Sequence, residues 1–241
     1  MFEAETRDGV TRLRRTGTRW LSTGWSGGDR EAERAYNVTV PEGWPTVDIE
    51  SYLADRLSEA GFEGDGPALL TGVDQRHARI ARLDSVTVLA TAGLSNPATL
   101  PLGPDREGDA PGSNPEERRP GTVNLFVGTT CACVDGALSG LVATATEAKT
   151  ATLLAETGFS GTTSDAVIVA CDPAGEPVEY VGSATEVGNA VRACVRDALL
   201  ASLRSRYAEK RYPESVAEAA YGIETRERAT VETIPGTEPG K

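Results

Sequence analysis

Val86-Thr87-Val88-Leu89-Ala90 is an apolar, β-branched run that does not alternate with polar residues. A run of this kind is expected of a strand buried on both faces, rather than one with a wet side. Ala166-Val167-Ile168-Val169-Ala170 reads the same way. Upstream, residues 10–25 and 34–41 read as strands, separated by the turn-rich Trp25-Ser26-Gly27-Gly28-Asp29. An amphipathic helix follows Pro45. Ile49, Tyr52, Leu53, Leu57 and Ala60 share one face, Asp48 caps it and Gly61 stops it. Residues 68–73 read as a short apolar strand, and residues 80–92 contain the opening run.

Downstream, residues 97–120 carry Pro97, Pro101, Pro104, Pro111, Pro115 and Pro120. This composition predicts a mobile loop or insertion within one domain. A strand resumes over 122–127. A long helix is expected over 134–156, with Val134, Leu138, Leu141, Val142, Ala145, Ala148 and Thr152 at helical spacing and Gly158 as its stop. Ser183-Ala184-Thr185-Glu186 matches a capping box for the last helix. That helix has Val187, Ala190, Val191, Cys194, Val195, Ala198 and Leu199 as its core stripe, with Arg192 and Arg196 opposite. From about Ala208 the chain turns polar, and a short helix near Val216 is expected within a peripheral tail over 208–241. The order β-β-α-β-β-β-α-β-α contains consecutive strands. It predicts a mixed α/β fold, a layered sandwich of mixed β-sheet and helices, with residues 1–207 as a single domain.

The net charge is −12, from 36 acidic and 24 basic residues. Such a surface repels phosphate backbones and argues against nucleic acid as a partner. Lys149, Lys210 and Lys241 are the only lysines. The acidic, arginine-over-lysine composition resembles that of a salt-loving archaeal protein, in which much of the charge serves solubility. The start, Met1-Phe2-Glu3-Ala4-Glu5, lacks the basic and apolar regions of a signal peptide, and no stretch is apolar enough for a membrane span. A cytoplasmic protein is expected. Cys131, Cys133, Cys171 and Cys194 match no CxxC zinc spacing and read as buried thiols. One histidine, His77, excludes a multi-His zinc site, and Gln75-Arg76-His77-Ala78-Arg79 reads as a solvated turn.

Chemistry is expected from Thr144-Ala145-Thr146-Glu147-Ala148-Lys149-Thr150, a polar run inside the long apolar helix. At the helical pitch Glu147 and Lys149 lie about 160° apart, so they cannot form a surface i,i+4 pair. Lys149 falls on the core stripe and Glu147 on the other side. Ser160-Gly161-Thr162-Thr163-Ser164-Asp165 precedes a buried strand, and its small hydroxyl residues let a ligand approach closely. Asn96 and Asn124, near strand ends, can hold a carbonyl or form an oxyanion site, although asparagine also serves as a turn residue. No P-loop or GxGxxG is present.

Seven stretches, in order, resemble the adenosylcobinamide amidohydrolase family of cobamide salvage. They are Leu21-Ser-Thr-Gly24 with Gly27-Gly28, Asn37-Val-Thr-Val-Pro41, Thr71-Gly-Val-Asp74, Thr91-Ala-Gly-Leu-Ser-Asn96, Gly121-Thr-Val-Asn124, Thr144-Ala-Thr-Glu-Ala-Lys-Thr150 and Gly161-Thr-Thr-Ser-Asp165. Val38 stands where many relatives are expected to carry histidine, and the Pro-rich stretch looks like an expansion. The resemblance implies hydrolysis of the amide joining aminopropanol to a corrin side chain of adenosylcobinamide, giving adenosylcobyric acid. It implies a small-molecule corrinoid as substrate and no cofactor. Metal-type ligands are few, so no metal is expected, with a carboxylate-bound divalent ion as the alternative. The residues expected to bind substrate are Thr23, Gly24, Asn37, Asp74, Asn96, Asn124, Thr162 and Thr163.

The catalytic residues expected are Glu147, Lys149 and Asp165. Glu147 or Asp165 would activate water, Lys149 would stabilise the oxyanion or protonate the leaving amine, and Asn96 would hold the carbonyl. A rival is a Thr162 or Ser164 nucleophile forming an acyl-enzyme. Two other functions compete with this enzyme: a non-catalytic corrinoid-binding protein, and an amidase of another substrate on a related scaffold.

Overall fold

The computed structural model of the chain describes residues 1–41, 48–102, 122–219 and 221–234. In chain order its first elements are β1 (Glu3–Arg7), β2 (Val10–Ser22), β3 (Gly28–Thr39), α1 (Ile49–Glu59), β4 (Ala68–Thr71), β5 (Arg79–Leu83), β6 (Val86–Ala92) and β7 (Pro97–Thr99). Then follow β8 (Val123–Thr129), β9 (Ala132–Cys133), α2 (Asp135–Thr157), β10 (Gly161–Thr162), β11 (Ala166–Cys171), β12 (Pro177–Val178), α3 (Glu186–Arg206) and β13 (Ile223–Glu224). The main sheet runs β4-β3-β2-β11-β8-β6-β5, with β1 also on β2. Pairs β8–β11 and β3–β4 are parallel and the rest of that sheet is antiparallel, so the fold is the mixed α/β sandwich expected, in a single domain.

Every residue of β6 and β8 is buried because the sheet is covered on both faces. On one face Val88, Val123, Leu125 and Val169 pack against Leu138 and Leu141 of α2 and Val191 and Leu199 of α3. On the other, Leu89, Phe126 and Ile168 meet Phe2, Leu13, Trp20 and Leu69. Fully burying a side chain such as Phe126 or Leu141 contributes roughly 1.5–3 kcal/mol. Leu69 on β4 and Leu89 on β6 come from distant strands of the order yet share this second cluster, so the sheet curls over itself. The curl brings β4 beside β8, where Asn124 Nδ2 donates to Leu70 O at 3.0 Å. Helix α1 closes a third cluster with Val10, Tyr36, Val38 and Phe62.

β1 and β11 share one edge of β2: β1 pairs with Val10–Arg14 and β11 with Arg19–Ser22. The β2–β3 register slips between Arg14 and Thr18, where Gly17 takes φ +66°. The first helix is as expected, with Asp48 accepting from Glu50 N and Gly61 at φ +66° beyond its end.

Several expectations are corrected. β3 starts at Gly28 rather than residue 34, because its polar first half forms a hairpin ladder with β2. The cap of α3 is Thr185, whose Oγ1 accepts from Gly188 N at 3.0 Å, rather than Ser183. Within the Pro-rich stretch, Pro97–Thr99 is a strand, paired with β10 and β13. Residues 103–120 of that stretch lie outside the described residues. The described residues around Val216 form turns rather than a helix, and Val216 packs against the core.

Candidate active site

Helix α2 carries its polar run with Thr144, Ala145, Ala148 and Lys149 buried and Glu147 exposed, as the helical angles require. Thr144 Oγ1 donates to Val181 O at 3.0 Å, which satisfies its burial. Lys149 is 7% exposed and points into the turn between β10 and β11. There its Nζ forms an ion pair with Asp165 Oδ2. Asp165 also accepts from Thr162 N at 3.1 Å on Oδ2, and from Val123 N at 3.0 Å and the Thr162 hydroxyl on Oδ1. Both oxygens are thus doubly occupied, and the carboxylate ties α2, the turn and the start of β8 together. Gly161 is required beside them: a Cβ there would sit 2.7 Å from Asp165 Oδ2 and 3.3 Å from Lys149 Nζ.

Asn96 follows β6 and backs the same turn. Its Nδ2 donates to Thr163 Oγ1 at 2.6 Å and to Ser164 Oγ at 3.3 Å, and its backbone carbonyl accepts from Thr163 N at 3.1 Å. Asn96 Oδ1 is buried without a hydrogen-bond partner among the described residues, so the amide retains an unused acceptor. Thr163 and Ser164 are exposed and form the open side of the cluster. Thr23 reaches it from β2: its N donates to Val167 O at 3.0 Å, and its Oγ1 accepts from Val167 N at 2.9 Å. Gly24 lies against β4, where a Cβ would come within 2.4 Å of Leu69.

Lys149, Asp165, Asn96, Thr162 and Thr163 are therefore brought together, with Thr23 and Gly24 along the adjoining edge. Glu147 is not. Its side chain is 63% exposed on the far side of α2 and pairs with Arg192 of α3. Asn37 and Asn124 are fully buried behind the site. Asn124 Nδ2 donates to Asn37 Oδ1 at 2.8 Å, and Asn37 Nδ2 donates to Thr91 Oγ1 at 3.0 Å and Gln75 Oε1 at 3.3 Å. These two side chains lock the curled sheet from inside.

Asp74 caps a single turn at Gln75–His77 and pairs with Arg76. The Arg76 backbone N–H, then its guanidinium, hold the Asp74 carboxyl below its ordinary range. His77 is half-buried rather than solvated, with Nδ1 3.0 Å from Ser205 Oγ. Sequence reasoning missed Thr122, whose hydroxyl donates to Ser164 O at 2.6 Å and braces the turn, although it sits in the Gly121–Asn124 stretch.

The four cysteines are free, and Cys133, Cys171 and Cys194 are buried. Among the described residues no three His, Cys, Asp or Glu side chains are grouped to hold a metal, and no helix is long and apolar enough to cross a membrane.

The profile of the adenosylcobinamide amidohydrolase family matches residues 2–211. An adenosylcobinamide amidohydrolase of Halobacterium salinarum is 57% identical over 235 residues, covering 96% of this chain and 99% of the relative. A protein of the same name from Methanosarcina mazei is 30% identical over 197 residues, covering 77% of this chain and 90% of the relative. The halobacterial relative agrees with the halophilic composition. The profile match runs from β1 past α3 and takes in the whole Lys149–Asp165 cluster, and on that span the chain belongs to the adenosylcobinamide amidohydrolase family.

Proposed function

We propose that this chain hydrolyses the amide between aminopropanol and the corrin side chain of adenosylcobinamide, releasing adenosylcobyric acid for cobalamin salvage. The observation that carries the reading is the buried Lys149–Asp165 pair behind the exposed hydroxyls of Thr163 and Ser164. A cation held in a water-poor wall beside an open turn suits a reaction that builds negative charge on a carbonyl oxygen. In the proposed sequence the substrate carbonyl draws the Lys149 ammonium toward it, which frees an Oδ2 lone pair of Asp165. Asp165 then takes a proton from the attacking water, and Lys149 delivers one to the departing amine. Asn96 holds the amide group in place. No resident cofactor or metal takes part, and turnover should persist in a chelator.

One contact favours a second route. The Thr162 hydroxyl donates to Asp165 Oδ1, the arrangement of a hydroxyl nucleophile on its base. Trapping an acyl-enzyme and locating it by mass spectrometry would select that route over direct attack by water.

The proposal is tested by incubating the protein with adenosylcobinamide and weighing the products. Adenosylcobyric acid and aminopropanol should appear in equal amounts. A bound but intact corrinoid would identify a binding protein instead, and no affinity for cobinamide would point to an amidase of another substrate.

A further inference from the structure

A cleft of about 670 Å³ opens between α1 and the turn that joins β2 to β3. Leu53 and Leu57 of α1 line it together with Phe62 and Trp25. Trp25 is 45% exposed, an apolar surface beside the cleft. Glu50, Glu63 and Asp65 make the rim acidic, and Arg30, the one cation on it among the described residues, faces Asp65 at 3.7 Å. The volume falls in the range of small-ligand sites.

The chain path from Trp25 through Thr23 keeps the cleft within reach of the candidate active site. Thr23 is hydrogen-bonded to Val167, two residues beyond Asp165, and Trp25 lies two residues beyond Thr23. Chain geometry therefore limits the Trp25–Asp165 Cα separation to at most about 22 Å. The nucleoside stands on an axial face of the corrin and the scissile amide ends a side arm, so one substrate can span two sites separated by less than this bound. Gly24 bridges the two regions, seated against Leu69 and the carbonyl of Ala68, and Ala68 lines the cleft.

We propose that this cleft is the subsite for the 5′-deoxyadenosyl group of the substrate, with Trp25 as the wall on which the purine stacks. The inference rests on the function proposed above. A flat, exposed indole is suited to a heteroaromatic base. The rim carboxylates match the hydrogen-bond donors of a nucleoside, the ribose hydroxyls and the exocyclic amine. An acidic rim repels phosphate, and the adenosyl group carries none. The cleft is too small for the macrocycle with its arms, which is left to the surface beside Thr163 and Ser164.

The test measures binding of two corrinoids before turnover, by stopped-flow absorbance of the corrin on mixing: adenosylcobinamide, and cobinamide with cyanide in place of the nucleoside. Each is taken against the wild type, Trp25→Ala and Trp25→Phe, and adenosylcobinamide turnover is followed in parallel. Trp25→Ala should weaken adenosylcobinamide about tenfold, Trp25→Phe should restore most of the loss, and the cyanide form should be unaffected. Equal weakening of both ligands, or of neither, overturns the subsite while leaving turnover, and with it the proposed function, standing. Absence of any corrinoid binding by the wild type overturns both.

Discussion

Lys149 and Asp165, 16 residues apart in sequence, form a buried ion pair between α2 and the turn before β11, their side chains 8% and 11% exposed. Removing one partner strands a charge away from water. Asp165→Asn should therefore destabilise the fold by about 3–5 kcal/mol and lower the turnover number by roughly 10²–10⁴. Lys149→Met in the same chain removes the stranded cation and should return part of that stability. The two changes should be non-additive by at least about 1 kcal/mol in urea unfolding. Simple additivity would mean that the pair is not coupled.

Gly161→Ala tests the same pair sterically. Its Cβ would lie 2.7 Å from Asp165 Oδ2, inside contact distance, so the carboxylate or the turn must move. A loss of about 1–3 kcal/mol is expected, together with a drop in the turnover number larger than any rise in KM. A variant of wild-type stability and activity would show that the turn tolerates displacement.

Glu147→Gln should leave turnover close to wild type. Its carboxylate pairs with Arg192 across α2 and α3 on the outside, and such exposed pairs contribute about 0–1 kcal/mol. A loss of activity of a hundredfold or more would instead return Glu147 to the reaction.

His77 predicts a pH effect on stability. Burial, and then the positive charges of Arg206 and Arg76, hold its folded pKa below the ordinary 6.5. Below that ordinary value the unfolded chain takes up the proton first, so lowering the pH draws the equilibrium toward unfolding. Stability should fall as pH drops from about 6.5 toward the lower folded value, and be unaffected by His77 above 6.5. His77→Gln should flatten this part of the urea-midpoint profile. Identical profiles would show that His77 does not contribute.

The layers were legible in the sequence because Val86–Ala90 and Ala166–Ala170 lack alternation, which two-sided burial requires. The early strands were less so. Glu3–Arg7 and the first half of β3 are mostly polar, and backbone pairing with β2 holds them. The Asp8-Gly9 turn, at φ 44° and 76°, is a hairpin signal that could have revealed β1. Helical angles alone separated Lys149 from Glu147. They could not supply Asp165 as the partner of Lys149, because that contact depends on how the chain returns after Gly158. Chain position does not report depth, so the sequence marks Asn37 and Asn124 as candidate ligand residues without showing that the curl of the sheet puts them inside.

Burial of the Lys149–Asp165 pair also decides what survives in brine. At about 1 M salt the screening length shrinks to roughly 3 Å, and charges facing solvent cease to act at a distance. The exterior, with its charge of −12, then has no long-range pull on a cationic corrinoid, and capture must rest on contact and shape. Mobile ions have little access to the interior pair, so its attraction is not diluted. Rising ionic strength should slow encounter while leaving the chemical step nearly untouched.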